Sequence, residues 1–342
     1  MPGAYRGAPY PGQVADFPGV RLHVVSGKGG TGKTTVAAAL ALALAGGGGR
    51  VLLLEVEGRQ GIAQLFDVPP LPYLEKSVAV APGGGEVYAL AVDPEEALLD
   101  YLHMFYKLSP SGIPARTLRR MGAIDFATTI APGMRDVLLT GKVKESVIRK
   151  RRDGRPVYDA VVLDAPPTGR IARFLNISQE VSGLTKVGPI KNQSEGVMAV
   201  LRSPQTAVHL VTLLEEMPVQ ETLDAVDELR SVHLPVGAVF VNAVRTPLLA
   251  PADLKAAESG ALDTTALAAG LEKAGLDAPE SLVAALAGEA ADHASRVSLE
   301  ERGRDALAGL ARPTYELPLL PDAVDLGGLY ALAQSLQEQG IA

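Results

Sequence analysis

The stretch Ser26–Thr35 (SGKGGTGKTT) decides how the rest of the chain is interpreted. An apolar, β-rich run, Val20–Val25, precedes it, and an Ala/Leu-rich run, Val36–Ala45, follows it. The stretch satisfies the spacing G-x-x-x-x-G-K-[ST] with Gly27, Gly32, Lys33 and Thr34. Glycines at this spacing let backbone N–H groups turn around phosphate oxygens, and the following helix adds its positive N-terminus. The sequence therefore predicts a strand, a phosphate-binding loop and a helix.

Each part of this loop has an expected role. Lys33 is expected to reach the β- and γ-phosphates, and the Thr34 hydroxyl is expected to bind Mg²⁺. The alternative is an ordinary glycine-rich turn between a strand and a helix. ATP and Mg²⁺ are the predicted cofactors, and the predicted nucleotide-binding residues of the loop are Gly27, Lys28, Gly29, Gly30, Thr31, Gly32, Lys33, Thr34 and Thr35.

The rest of the sequence alternates apolar runs with helical patterns, such as those at Gln220–Ser231 and about Asp325–Gln337. Nearly continuous apolar runs are typical of strands buried on both faces. Strands are predicted at Val51–Val56, Val87–Val92, Val157–Leu163, Ala207–Leu214, Val236–Asn242 and Tyr315–Leu317. This alternation predicts an α/β fold in which helices flank a parallel sheet.

The predicted domain organisation is one ATPase domain over residues 20–342. Residues 1–19 hold four Pro and four Gly without an apolar run, which indicates a disordered tail. Residues 94–152 carry too much helical pattern for one crossover, so they are expected to form a helical insertion subdomain. Mostly helical segments are expected at about 176–204 and 251–310.

Composition excludes several classes of function. The 342 residues include no cysteine, which excludes disulfides, thiol catalysis, iron–sulfur clusters and cysteine zinc sites. With 32 basic and 39 acidic side chains the net charge is −7, so no nucleic-acid partner is expected. The longest apolar run has ten residues, too short to cross a bilayer. We therefore expect a soluble, cytoplasmic protein without stable membrane insertion.

Lys28 makes the loop more specific. A second lysine in G-K-G-G-x-G-K-T-T resembles the deviant Walker A loop of one branch of P-loop NTPases. That branch contains partition ATPases, nitrogenase iron protein, and the arsenite-pump and tail-anchored-protein-targeting ATPases. The resemblance implies that Lys28 crosses a dimer interface to the nucleotide of the partner. A solvent-facing loop lysine is the alternative.

A second motif narrows the resemblance. Asp164–Leu175 (DAPPTGRIARFL) is similar to D-T-A-P-T-G-H-T-L-R-F-L, the switch II of the arsenite-pump and tail-anchored-targeting ATPases. The resemblance assigns Asp164 to the magnesium site, together with Thr34, although an aspartate at a strand end can also cap the next turn. Asn242, at the end of a predicted strand, matches an asparagine that hydrogen-bonds adenine in that family, with a strand-end turn residue as the alternative. Arg170 stands where the family has histidine.

Switch I departs from the family pattern. The family has D-P-A-H-S or D-P-A-S-N, whose aspartate orients the attacking water, whereas this chain has Glu57-Gly58-Arg59-Gln60-Gly61. Because in-line attack depends on sub-ångström placement, hydrolysis is expected to be slow. Gln60 is an alternative water-positioning residue. The predicted catalytic residues are Lys28, Lys33, Glu57 and Asp164.

The resemblance predicts a Mg²⁺-dependent ATPase that acts as a nucleotide-driven dimeric switch. The dimer is either a homodimer or a heterodimer with a similar ATPase subunit. A non-hydrolysing scaffold subunit and, less favoured by the acidic charge, a partition-type ATPase are the alternatives. A further hypothesis is that the helical insertion, which contains Met104, Met121 and Met134, binds an apolar protein client.

Overall fold

The fold is built on an eight-stranded sheet. The computed structural model describes residues 17–106, 134–176 and 189–341. The strand order is β3-β4-β2-β5-β1-β6-β7-β8, and every neighbouring pair is parallel except β3 and β4. The predicted α/β fold with a parallel sheet is confirmed. The strands are β1 (Leu22–Gly27), β2 (Arg50–Glu55), β3 (Lys76–Val80), β4 (Glu86–Ala91), β5 (Ala160–Asp164), β6 (Thr206–Thr212), β7 (Val236–Val244) and β8 (Thr314–Pro318).

Helices cover both faces of the sheet. In the described residues they are α1 (Lys33–Ala45), α2 (Gly61–Leu65), α3 (Pro94–Tyr106), α4 (Met134–Ile148), α5 (Thr168–Leu175), α6 (Pro189–Leu201), α7 (Glu216–Ser231), α8 (Pro251–Glu258), α9 (Thr264–Lys273), α10 (Glu280–Ala308) and α11 (Leu326–Glu338). Helices α1, α2 and α11 pack on one face, and α3 to α7 pack on the other. Alternate residues of β2 enter the two cores, which explains its unbroken apolar sequence.

Two short elements were not predicted. Strand β3 is the antiparallel edge strand, and its five residues are half-buried or exposed. Helix α2 has five residues and follows the switch I stretch. The segment 251–310 contains α8, α9 and the long helix α10, which has 29 residues.

Several predictions fall on parts of the chain that the structure does not describe. Residues 1–16 of the predicted tail, residues 107–133 of the predicted insertion and residues 177–188 lie outside the described residues. Met121 is among them. Phe17, which belongs to the predicted tail, packs edge-on against the rings of His23 and His209.

His23 and His209 form a buried pair between β1 and β6. The Ala238 N–H donates to His209 Nδ1 at 3.0 Å, so His209 carries its proton on Nε2 and donates it to His23 Nδ1 at 3.1 Å. Burial lowers the pKa of His23 to about 4. A hydrogen bond with the Val20 backbone acts in the opposite direction but is the smaller effect. Burial also lowers the pKa of His209, and the neighbouring His23 lowers it further. Both rings are therefore neutral in the folded protein near neutral pH.

This pair predicts acid sensitivity. Because both folded pKa values lie below the unfolded value, their stabilising effect is complete above about pH 6.5 and is lost as the pH falls. When the pH is lowered from 7.5 to 5, each ring should reduce the free energy of unfolding by about 2 kcal/mol. His23→Asn keeps an acceptor for His209 and should lose about 2 kcal/mol less over this interval than the wild type. Denaturant unfolding at both pH values measures the difference.

The control is His233→Asn, at an exposed position whose positive φ of 61° asparagine tolerates. It should reproduce the pH dependence of the wild type. An identical dependence for the His23 variant would contradict the assignment of the two neutral rings.

Candidate nucleotide site

The glycine loop leaves the carboxyl end of β1, which lies between β5 and β6. Gly27 cannot carry a side chain, because a Cβ there would lie 2.2 Å from the Val211 carbonyl oxygen. Gly32 has a φ of +85°, and a Cβ there would lie 2.2 Å from Asn242 Nδ2. The sheet therefore fixes both ends of the loop, and α1 begins directly after it at Lys33.

Lys33 is the buried cation of the loop. Its Nζ donates to the Lys28 carbonyl oxygen at 3.5 Å. Burial lowers the pKa of Lys33, while the carboxylates of Asp164 and Glu57 raise it and Arg59 lowers it. The ammonium group thus lies within electrostatic range of both predicted switch acids.

Thr34 and Asp164 meet at the head of α1. The Thr34 hydroxyl donates to Asp164 Oδ2 at 2.7 Å, although 130 residues separate them. Burial raises the pKa of Asp164 to about 6; the Thr34 hydrogen bond and Lys33 lower it, and Glu55 and Glu57 raise it. A hydroxyl and a buried carboxylate are oxygen donors of the kind that Mg²⁺ prefers.

The structure adds one acid that the sequence analysis missed. Glu55 ends β2 and pairs in register with Asp164 on β5. Its side chain is buried, its Oε2 accepts from Ile62 N at 3.4 Å, and its Oε1 has no hydrogen-bond partner among the described residues. The only sequence signal was an acid closing an apolar run. A buried, unsatisfied carboxylate oxygen beside Asp164 fits a cation site better than a structural one.

The described residues contain no group of three or more His, Cys, Asp or Glu side chains that could hold a metal. This agrees with the nature of the site, since Mg²⁺ bound with a nucleotide usually takes one or two carboxylates, phosphate oxygens and waters. Thr34, Asp164 and Glu55 supply a donor set that fits this pattern.

Glu57 faces a polar cavity. Its Oε2 lies 3.7 Å from Arg59 Nη2 and its Oε1 lies 3.9 Å from Arg170 Nη1, so both oxygens face guanidinium groups. The cavity has a volume of about 170 Å³, and its polar lining also includes Arg135. Two of the departures from the family pattern, Glu57 and Arg170, therefore form an ion pair with each other.

The side chain of Gln60 makes structural contacts. Its Oε1 accepts from Leu71 N at 2.7 Å, and its Nε2 donates to Leu71 O at 3.2 Å. Both ends of the amide are engaged by one backbone position, which secures the loop after α2. The structure therefore gives no support to Gln60 as the water-positioning residue.

Three further predicted residues lie on the loop or contact it. Lys28 Nζ forms an ion pair at 2.7 Å with Glu221 of α7, at a half-exposed position. Asn242 Nδ2 donates to the Thr31 carbonyl oxygen at 2.9 Å, so this side chain supports the loop in the isolated chain. Thr31 Oγ1 donates to Lys28 O at 2.9 Å. Gly29 and Gly30 have open space around them, and Thr35 is half-buried on α1.

Comparison with known proteins decides the family. The profile of the family described as anion-transporting ATPase matches residues 20–204, more than half of the chain. The chain belongs to this anion-transporting ATPase family. It is 56% identical to the ATPase BagA of Mycobacterium tuberculosis over 323 residues, which cover 94% of both chains. The predicted resemblance is thereby confirmed.

Two more distant relatives also match. The arsenical pump-driving ATPase of Escherichia coli is 26% identical over 313 residues, 87% of this chain and 50% of that protein. The ATPase get3 of Schizosaccharomyces japonicus is 26% identical over 182 residues, 51% of each chain. No helix in the described part of the chain is long and apolar enough to cross a membrane.

Proposed function

We propose that this member of the anion-transporting ATPase family binds ATP with Mg²⁺ and hydrolyses it slowly as a nucleotide-driven dimeric switch in the cytoplasm. The observation that carries the proposal is the assembly of Lys33, Thr34 and Asp164 at the head of α1. The Thr34–Asp164 hydrogen bond of 2.7 Å and the buried Lys33 ammonium fit a loop prepared for a phosphate chain and a cation.

Each group has a distinct task in this proposal. The loop N–H groups and Lys33 bind the β- and γ-phosphates and offset their charge. Thr34 and Asp164 hold Mg²⁺, which when bound neutralises charge on the phosphate oxygens. Asn242 exchanges its contact with Thr31 O for the adenine ring. Because Ser26 Oγ donates to Pro166 O at 2.6 Å, the loop and switch II are joined at their bases.

Glu57 is the proposed water-orienting acid. Its side chain is 19% exposed and has Arg59 and Arg170 on its two oxygens. A carboxylate whose two oxygens both face guanidinium groups is not free to accept a hydrogen bond from the attacking water. Slow hydrolysis follows, and turnover requires that the two arginines move when the γ-phosphate binds.

Lys28 provides the proposed link to a partner subunit. In the single chain it pairs with Glu221, so it must leave this half-exposed partner to reach a nucleotide across an interface. Such exposed pairs contribute at most about 1 kcal/mol, which a phosphate contact readily offsets. The partner is either a second copy or a similar ATPase subunit. An apolar protein client at the helical insertion remains a prediction.

The decisive experiment measures size and hydrolysis together. Light scattering of the purified chain, alone and with a sister ATPase subunit, should show a dimer with Mg²⁺ and a non-hydrolysable ATP analogue and a smaller species with ADP. Phosphate release should be slow but measurable. No effect of any nucleotide on size or hydrolysis would overturn the proposal.

The pairing of Glu57 with two arginines also favours a second candidate, a scaffold subunit that binds ATP without turnover. Glu57→Gln tests between them. If the chain is an ATPase, this variant should lower turnover by about 100-fold, the usual contribution of a proton-accepting group, with ADP affinity within about twofold of the wild type.

The matched control is Glu258→Gln, an exposed position on α8 that should keep wild-type turnover. Turnover absent from the wild type and not restored by Glu57→Asp would favour the scaffold. Undiminished turnover in the Glu57→Gln variant would remove Glu57 from the mechanism.

A further inference from the structure

Glu55 stands out among the buried ionisable groups that the proposed mechanism does not use. Its side chain is 2% exposed, and its Oε1 has no hydrogen-bond partner among the described residues. The one bond it does make, from Ile62 N to Oε2, is long at 3.4 Å. Burying a carboxylate without partners costs several kcal/mol, so such groups are normally paired or bind metals.

The sheet register aims Glu55 at the nucleotide site. Residues paired in register on adjacent strands point to the same face, and Glu55 pairs with Asp164. The preceding pairs, Val51 with Ala160 and Leu53 with Val162, all enter the core beneath α1. Both acids therefore face the head of α1, and Glu55 is close enough to Asp164 to raise its pKa.

The surroundings of this point favour a cation. The Thr34 hydroxyl contacts Asp164, and a Cβ built on Gly61 would lie 3.2 Å from the Thr34 methyl group. The start of α2, which donates Ile62 N to Glu55, is thus in contact with the loop. Two carboxylates and one hydroxyl therefore face the head of α1, whereas Glu57 faces the arginine-lined cavity.

We propose that Glu55 is a second carboxylate of the magnesium site. Its Oε1 accepts a hydrogen bond from the hydration shell of the divalent cation that accompanies the nucleotide, while Asp164 and Thr34 hold the cation from β5 and α1. Mg²⁺ keeps several of its waters in proteins, and carboxylates around it commonly bind those waters. This assignment rests on the proposed nucleotide function of the same site and supplies the partner that Oε1 lacks.

The test uses Mn²⁺ in place of Mg²⁺ and measures binding rather than turnover. Free Mn²⁺ is followed by electron paramagnetic resonance during titration of the full chain with saturating ADP. Glu55→Gln keeps the shape of the side chain and removes its charge. It should weaken Mn²⁺ binding by 10- to 100-fold, as loss of a group that orients metal ligands typically does, and leave ADP affinity in EDTA within about twofold.

The controls separate the possible failures. Glu258→Gln, exposed on α8, should bind Mn²⁺ like the wild type. Mn²⁺ affinity within twofold of the wild type in Glu55→Gln would overturn the role of Glu55 and leave the proposed function standing. Absence of Mn²⁺-dependent ADP binding in the wild type would overturn both. If Glu55→Gln does not fold, Glu55→Asp, which retracts the charge by one methylene, is expected to show a smaller loss and is judged by the same twofold limit.

Discussion

Replacing Lys33 by methionine is expected to weaken the binding of ATP by at least about 100-fold and that of ADP by at least about 10-fold, and to abolish hydrolysis. The ammonium group is buried at the start of α1 and donates only to the Lys28 carbonyl oxygen among the described contacts. Hydrogen bonds to charged groups contribute about 1.5–3 kcal/mol each, and in the proposed function Lys33 makes one to the β-phosphate of either nucleotide and a second to the γ-phosphate of ATP. Calorimetric titration with Mg²⁺ and each nucleotide measures the loss.

Methionine preserves most of the volume of the lysine, so the variant isolates the charge. Lys255→Met, at an exposed position of α8, is the matched control and should bind nucleotide like the wild type. Circular dichroism checks that both variants fold. Nucleotide affinity within about threefold of the wild type in the Lys33 variant would mean that the loop is an ordinary strand–helix turn.

The phosphate loop could be predicted from the sequence because its chemistry is local. Ten consecutive residues specify the turn, the cation and the hydroxyl, and the apolar runs on either side specify a buried strand and a helix. Strand β2 was predictable for a related reason, since a short, nearly continuous run of Val and Leu is typical of a strand that is buried on both faces.

What was missed depends on partners far away in the chain. Strand β3 exists because it pairs with β4 at the edge, and its half-exposed sequence carries no strong pattern. The place of Glu55 beside Asp164 depends on a strand register between residues more than 100 positions apart. The ion pair of Lys28 with Glu221 depends on the packing of α7. The His23–His209 pair is likewise a product of the sheet order. Single-sequence patterns do not contain such pairings.

Asp164→Asn should have opposite effects on the free protein and on cation binding. In the free protein, burial raises the pKa of Asp164 to about 6, above its ordinary value of 3.8. The stabilising effect of a carboxyl with a raised folded pKa is complete below the unfolded pKa and is lost as the pH rises through about 6. The wild type is therefore penalised near neutral pH, and asparagine removes the penalty while still accepting from Thr34.

In EDTA without nucleotide, the free energy of unfolding of the variant should exceed that of the wild type by an amount that grows by about 2 kcal/mol between pH 4.5 and 8. Denaturant unfolding at the two pH values measures it. With Mg²⁺ and ADP the order should reverse, because a cation that stabilises the wild type has lost its charged ligand in the variant.

Asp67→Asn is the matched control, since Asp67 is exposed and its positive φ of 49° suits asparagine. Its free energy of unfolding should change with pH, and with Mg²⁺ and ADP, as that of the wild type does. A gain for Asp164→Asn that does not change with pH would contradict the raised pKa, and a full Mg²⁺-dependent stabilisation of the variant would contradict the role of Asp164 at the cation. The two outcomes are independent, because the first concerns the empty site and the second the site with nucleotide bound. A buried acid that destabilises the free chain and stabilises the loaded one is the signature of a group retained for binding rather than for folding.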